Sequence, residues 1–535
     1  MSKIGLIWRT VRYLQCRQLV YQVINRLRRR PRLRLPKHLP AIQFVRVPEA
    51  DKPVSYENRA FTFLNQSVQF DSEIDWNYAE NGKLWTYNLT YFDYLNQGEK
   101  ELAAGLWLIR QFMAKTDLVA AGLEPYPTSL RIMNWVQFLS RHRMQDDLVN
   151  THLFAQVHLL SRRLEYHLGG NHLLENGFAL LAGGLFFRNK SWFEKGSKLL
   201  RAELAEQILL DGAHAERSPM YHQILLDRLL DVLIMLQNDT WHGDSALVEL
   251  LTTKAVVMLR WLTGITFSNG DVPMVNDAAF GIAPTTEQIQ KKAEMVLSTA
   301  CSERLTRSPQ SESKESGYRL FRYSDYEFFA DVGAVGPDYQ PGHAHADTFS
   351  FVLYVHGQPV IVDSGTSTYQ SGLRRSWERS TAAHNTVEIN GTDSSEVWAG
   401  FRVGRRAYVT LLVDEEAVLL AQHDGYSSVG ITHQRTWHFE PTRICILDQI
   451  TRNTSGGYEP LTAVARLHFH PDVALNLTSD GVAAGPLTLT FQSDKPPIVA
   501  VKSYDMATGF NQLRTAHCLE ITFVNCLNTI VTLAE

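Results

Sequence analysis

The densest chemistry in the chain lies in Gly342-His343-Ala344-His345-Ala346-Asp347, followed by Val362-Asp363-Ser364-Gly365 and Ala383-His384-Asn385-Thr386. Alternate residues of an extended chain face one side, so His343 and His345 can point into one site, with Asp363 and His384 arriving from neighbouring strands. Two neutral imidazoles and one carboxylate suit Zn2+, which accepts nitrogen and oxygen ligands and needs no thiolate. The same residues equally suit ordinary polar positions at strand ends, and spacing alone leaves both readings open.

The first half of the chain offers two more polar loops. In Gly169-Gly170-Asn171-His172 a Gly-Gly break precedes a helix, so Asn171 either caps that helix or joins His172 in holding a carboxylate at its N-terminus. Asp211-Gly212-Ala213-His214 and Glu216-Arg217-Ser218-Pro219-Met220-Tyr221-His222 enter a second helix, with Pro219 suited to the first turn. Tyr221 by itself reads as a core aromatic with a hydrogen-bonded tip. Arg131 and the aromatic run from Trp85 to Phe92, Tyr87 included, can form a stacking and charge-matching wall for a sugar chain, or equally core packing and an ion pair. Phosphate loops, a GxSxG elbow and CxxC pairs are absent from the sequence, which puts NTPases, serine hydrolases and redox enzymes behind other classes.

Two kinds of element must position these groups. From about Trp85 to Leu305 apolar residues recur at helical spacing, with runs over His152–His167, Leu173–Phe187 and Tyr221–Leu236. Short breaks such as Glu124-Pro125-Tyr126-Pro127 predict antiparallel helix packing, as a bundle or a toroid of hairpins. After Ser316 the pattern alternates, predicting strands over Tyr318–Phe329, Phe349–Val355, Pro359–Val362, Tyr408–Val413 and Ile444–Leu447. His356-Gly357-Gln358 and Asn390-Gly391 fit hairpin turns. The polar stretch Ser308–Ser316 reads as a linker. The expected organisation is a basic N-terminal segment (1–40), a helical domain (41–307) and an antiparallel β-domain (317–535).

With 535 residues, 44% hydrophobic and 20% charged, the chain has material for two large globular domains. Its 52 basic and 56 acidic residues nearly balance, which argues against a dedicated nucleic-acid binder. Five scattered cysteines indicate neither a disulfide framework nor a thiolate metal site. The N-terminal segment holds Arg9, Arg12, Arg17, Arg26, Arg28, Arg29, Arg30, Arg32 and Arg34 and no acidic residue. It lacks the apolar core and cleavage site of a secretory signal, so the chain reads as cytoplasmic. Ile7, Val11, Leu14, Leu19 and Val23 fall on a helical stripe, which fits either a basic helix resting on an anionic membrane or one packed on the protein.

Several segments together resemble the heparinase II/III family of polysaccharide lyases, in order and in content. They are Pro125-Tyr126-Pro127-Thr128-Ser129-Leu130-Arg131, Gly170-Asn171-His172-Leu173-Leu174-Glu175-Asn176-Gly177, Ser218-Pro219-Met220-Tyr221-His222, the His343 and Asp363 segments, and Ser380-Thr381-Ala382-Ala383-His384-Asn385-Thr386. The resemblance implies an (α/α) toroid followed by an antiparallel β-sandwich, and β-elimination on a uronic-acid-containing polysaccharide or oligosaccharide. It implies that Asn171 and His172 neutralise the uronate carboxylate, that Tyr221 is the catalytic acid or base, and that His343 is its partner. It further implies that His345, Asp363 and His384 hold a structural zinc ion, with no organic cofactor. Arg131, Arg217 and Tyr87 are the candidate substrate-binding side chains. Two other classes compete: a glycoside hydrolase using carboxylates drawn from Glu175, Glu216, Asp271 and Asp277, and a glycan-binding or assembly protein without chemistry.

Overall fold

The computed structural model describes residues 3–98, 101–237, 239–297, 314–452 and 461–534. Most of the expected linker, residues 308–313, lies outside the described residues. The chain opens with helices α1 (Lys3–Val11) and α2 (Cys16–Leu27) and a small antiparallel sheet of β1 (Tyr56–Glu57), β2 (Ala60–Phe63) and β3 (Gln66–Gln69). Between them an extended stretch lies on the helical domain, where Gln43 N donates to Phe186 O at 2.7 Å.

The helical domain comprises α3 (Lys83–Tyr91), α4 (Leu102–Lys115), α5 (Pro125–Arg141), α6 (Asp147–Ser161), α7 (Gly170–Phe186), α8 (Lys190–Gln207), α9 (Pro219–Gln237), α10 (Ser245–Ile265) and α11 (Thr286–Glu294). These form the (α/α) toroid. Pro125 and Pro219 each open a helix, where the missing N–H costs nothing. Helix α7 is apolar nearly all round and runs through the middle, packed by α5, α8 and α9. Every residue of α7 is buried except His172. Its approach to α8 depends on glycine: a Cβ at Gly184 would stand 2.6 Å from Phe193 N. The run expected to continue to His167 stops at Ser161, and the residues after it form the turn that leads into α7.

The second half is antiparallel throughout. The strand expected over Tyr318–Phe329 is a hairpin, β4 (Tyr318–Arg322) and β5 (Tyr326–Asp331), joined to β6 (Phe351–Val355) and β7 (Gln358–Ile361) in one four-stranded sheet. The β6–β7 turn uses His356 and Gly357, both at positive φ. A second four-stranded sheet contains β8 (Val387–Ile389), β15 (Ala463–His468), β19 (Ile498–Gly509) and β20 (Gln512–Phe523). Val362 N donates to His468 O at 2.9 Å, so these two sheets continue one another. Against them lies an eight-stranded sheet made from β11 (Val409–Asp414), β12 (Val418–His423), β13 (Ile431–Glu440), β14 (Arg443–Arg452), β16 (Leu475–Leu477), β17 (Val482–Ala484), β18 (Leu487–Ser493) and β21 (Cys526–Leu533). One core fills the sandwich, with Phe328, Leu353, Trp437, Ile446, Leu519 and Val531 all in it. A short ribbon, β9 (Val397–Trp398) and β10 (Arg402–Val403), stands at its edge.

Strands β5 and β6 are buried on both faces, and that joins the two domains. Phe328, Ala330, Phe351 and Leu353 face the sandwich core, while Phe329, Val352 and Tyr354 pack with Trp261 and Ile265 of α10. The long connections leaving β5 and β7 therefore emerge at the seam.

Candidate active site

Four loops and two helix starts converge on this seam. The 332–350 connection brings His343 and the 266–285 connection brings Asp277, and Asp277 N donates to His343 O at 3.1 Å. Asp277 Oδ2 lies 2.9 Å from His343 Nδ1, and its Oδ1 lies 3.0 Å from His345 Nε2. Arg375, on the short helix α12 (Leu373–Glu378), grips the same carboxylate through two contacts of 2.5 and 2.7 Å. Burial disfavours the charge on Asp277, yet the Arg375 guanidinium and the two imidazoles hold its carboxyl well below the usual carboxylate range.

The other face of His343 looks into the toroid. Its Nε2 lies 3.3 Å from Glu216 Oε2 and 3.5 Å from the Asn171 amide nitrogen. Glu216 also accepts from Asn171 N and Nδ2, both at 2.8 Å. Gly170 makes this approach possible: it sits at φ 55°, and a Cβ there would meet Glu216 Oε1 at 2.1 Å. Burial works against the Glu216 charge, but His343, His214 and the Asn171 N–H groups keep its carboxyl below its ordinary value. Asn171 Oδ1 is buried and has no hydrogen-bond partner.

Tyr221, in the first turn of α9, stacks on His343 with ring centroids 4.0 Å apart. Its hydroxyl lies 3.4 Å from the Tyr369 hydroxyl, which in turn donates to Asp277 O at 3.3 Å. Burial pushes the Tyr221 phenol well above its ordinary value. His172 faces Glu165 through Nδ1 at 3.1 Å and packs against the Tyr126 ring at 4.3 Å. Burial pulls against its imidazolium, but the Glu165 carboxylate outweighs that and raises His172 above 6.5. The structure thus brings Asn171, His172, Tyr221 and His343 together at the seam from both domains.

Tyr87 is half-buried, and its hydroxyl donates to Glu124. Tyr87, Tyr91 and Tyr126 follow one another at 6.1 and 5.9 Å and lead to His172. The other two expected substrate contacts are elsewhere. Arg131 is fully buried in the toroid, where it donates to Gln156 Oε1, Thr90 O, Gly122 O and Thr128 Oγ1. Four of its five N–H donors are thus on internal acceptors, and the side chain has no exposed surface. Arg217 is buried at the domain junction, with Nε on Ser316 O at 3.0 Å, and its own carbonyl accepts from Tyr318.

His345, Asp363 and His384 are neighbours, but not as a three-ligand set. Asp363 Oδ2 is bonded to His384 Nδ1 at 2.8 Å, just as Asp277 is bonded to His345 Nε2. Among the described residues no group of three or more His, Cys, Asp and Glu side chains is arranged to hold a metal ion. His345 Nδ1, His384 Nε2 and Asp347 Oδ2 are nevertheless buried without hydrogen-bond partners, and the two imidazole centroids are 5.3 Å apart.

Sequence reasoning considered Glu216 and Asp277 only as hydrolase carboxylates and did not consider Glu165, Tyr369 or Arg375. The position of Glu216 in a polar loop opening a helix was the available signal; Arg375 carried none.

Residues 128–299 match the family description "Heparinase II/III N-terminus", and residues 306–525 match "Heparinase II/III-like, C-terminal". The chain belongs to the heparinase II/III family. It is 23% identical over 334 residues to a heparin-sulfate lyase of Bacteroides stercoris, covering 58% of this chain and 47% of that protein. A heparin-sulfate lyase of Pedobacter heparinus is 24% identical over 275 residues, covering 48% and 39%. The chain thus spans less than half the length of both relatives in these matches. Among solved structures, a heparinase III superposes with a TM-score of 0.70 at 18% identity over 96% of this chain and 89% of that one. A chondroitinase AC lyase reaches 0.52 at 9% identity over 84% and 76%. These likenesses establish the toroid-plus-sandwich fold.

Proposed function

We propose that this protein is a polysaccharide lyase that cleaves a uronic-acid-containing glycan by β-elimination. The observation that carries the reading is the His343–Asp277 pair packed on Tyr221 at 4.0 Å, beside Asn171 and His172 at the seam between the domains. Asp277 orients the His343 ring through Nδ1, and Nε2, which faces Glu216 and Asn171, is the nitrogen placed to exchange a proton with the substrate. Tyr221, kept a neutral phenol by its raised pKa, is suited to protonating the departing O4. His172, favoured as imidazolium by Glu165, faces the charge that develops on the uronate. Asn171 has one N–H of its amide on Glu216, and the second is available to the uronate carboxylate. Tyr87 and Tyr126, both half-buried, supply ring faces for stacking.

The hydrolase reading fails on charge. Glu216 and Asp277 are both held below their ordinary values and committed to His343, so neither is the protonated acid that glycoside hydrolysis requires. Glu175 is fully buried beside Arg228 at 3.4 Å.

Of the expected zinc ligands, the two imidazoles offer partnerless nitrogens and Asp363 is hydrogen-bonded to the His384 ring. His345 and His384 each have one nitrogen held by a carboxylate and the other without a partner, as metal-bound histidines do. Asp363 holds the other nitrogen of His384. When bound there, zinc would supply a fixed cross-link below the His343 loop.

The test is near-ultraviolet absorbance during incubation with a panel of heparan-, chondroitin- and alginate-type glycans, with Tyr221→Phe as the control. An absorbance rise abolished by the substitution is the expected result; new reducing ends without absorbance would overturn the reading.

A further inference from the structure

Helix α2 rests on the protein by its polar edge. Gln18 Nε2 donates to Leu168 O and Tyr339 O, both at 3.1 Å. Arg17 pairs with Glu203 at 3.2 Å, Gln15 reaches Glu206 at 3.0 Å, and Tyr21 packs on Tyr166 at 4.7 Å. The residues turned away are Cys16, Leu19, Val20, Val23, Ile24 and Leu27, whose spacing makes one continuous stripe; Val23 is 58% and Leu27 81% exposed. Helix α1 is seated the same way. Arg9 grips Glu396 and Thr10 Oγ1 accepts from Trp398 Nε1, while Ile4 is 80% and Trp8 67% exposed. A surface helix ordinarily buries its apolar stripe against the core. Both of these helices do the reverse.

The charge around the stripe says what covers it. The sequence has no acidic residue before Glu49. Lys3, Arg12, Arg26, Arg29, Arg32 and Arg34 are exposed, and among the described residues none of them forms an ion pair. A second copy of the chain seated on this face would bring the same positive charge against it. An anionic lipid surface satisfies both parts, taking leucine and valine at the acyl boundary and arginine among the headgroups. No described helix is long and apolar enough to cross a membrane, so the contact is one of lying on the surface.

We propose that α1 and α2 form a docking face for an anionic membrane, set beside the loops that carry Asn171 and His343. Leu168 and Tyr339, which Gln18 ties together, precede Asn171 and His343 in the two loops that build the site. The bilayer then lies roughly one helix diameter, about 10 Å, from those loops, and the glycan reached is one presented at the membrane.

The experiment is co-sedimentation of the full chain with vesicles of phosphatidylcholine alone and of an equimolar mixture with phosphatidylglycerol. The protein is expected to sediment with the mixed vesicles only and to be released by salt. Val20→Glu with Val23→Glu, and separately Arg29→Glu with Arg32→Glu, are each expected to weaken binding about tenfold or more, with circular dichroism and elution volume unchanged. Failure to bind mixed vesicles, equal binding by the Val20/Val23 variant, or a change of that variant to a smaller species that shows a second copy on the stripe would each overturn the proposal. Binding is read without turnover, so its failure leaves the elimination chemistry standing, and an inactive enzyme that binds leaves the docking face standing.

Discussion

Replacing Asp277 by asparagine removes one charge at the point where three positive or proton-bearing groups meet. The carboxylate accepts from His343 Nδ1 at 2.9 Å, from His345 Nε2 at 3.0 Å and from Arg375 through two contacts. An asparagine can present an N–H to His343 Nδ1, which drives the ring to the tautomer with its proton on Nε2, where the base should be. Loss of the correct tautomer in a carboxylate–histidine pair costs on the order of 10^3–10^4 in turnover, or about 4–5.5 kcal/mol of barrier. The same substitution strands the buried Arg375 guanidinium, which costs about 3–5 kcal/mol of stability. Absorbance of the unsaturated product gives the rate, and thermal unfolding gives the stability; rates are compared below the variant's unfolding temperature, together with the pH–rate profile. Turnover within about tenfold of the parent, with the pH profile unmoved, would show that Asp277 does not set the His343 tautomer.

Glu165→Gln removes the carboxylate that raises His172 above 6.5. The alkaline limb of substrate affinity is expected to move to lower pH, read from the pH dependence of KM. Because the folded His172 value is raised, its stability contribution is fully present below about pH 6.5 and is lost as pH rises through the folded value; the variant should lack this pH dependence in thermal unfolding. For zinc, elemental analysis of the purified protein is expected to find metal that His345→Ala and His384→Ala each lose, with a lower unfolding temperature; metal-free parent protein of equal stability would sink the assignment. Arg131→Met is expected to cost about 3 kcal/mol or more by leaving buried acceptors unpaired, with KM unchanged in the folded fraction; a selective rise in KM would return Arg131 to the substrate.

The helical half was legible because α7 and α9 are long apolar runs without strand-like alternation, and the turn at His356-Gly357 because only certain residues tolerate its positive φ. The single strand read over Tyr318–Phe329 was a hairpin: its polar break, Tyr323-Ser324-Asp325, interrupts the alternation too briefly to stand out, and β5 is buried on both faces. Arg131 was open between a substrate contact and core packing because a buried arginine and a binding arginine look alike until their acceptors are known. Asp363 was placed among zinc ligands by the company it keeps in sequence, and only the structure shows its Oδ2 bonded to His384 Nδ1.

What the sequence determined by itself was the order of a helical and a β half, the basic N-terminal stretch, and the His, Asn and Tyr residues that gather at the seam; local periodicity and residue type suffice for these. What only the tertiary structure decided was which carboxylates face which nitrogens. Asp277 and Arg375 are 98 positions apart yet share two hydrogen bonds, and Glu216 meets Asn171 only because Gly170 lets the chains close in. The outward turn of the α2 stripe belongs here too, since an amphipathic pattern gives the direction of its apolar side but not which side the protein holds.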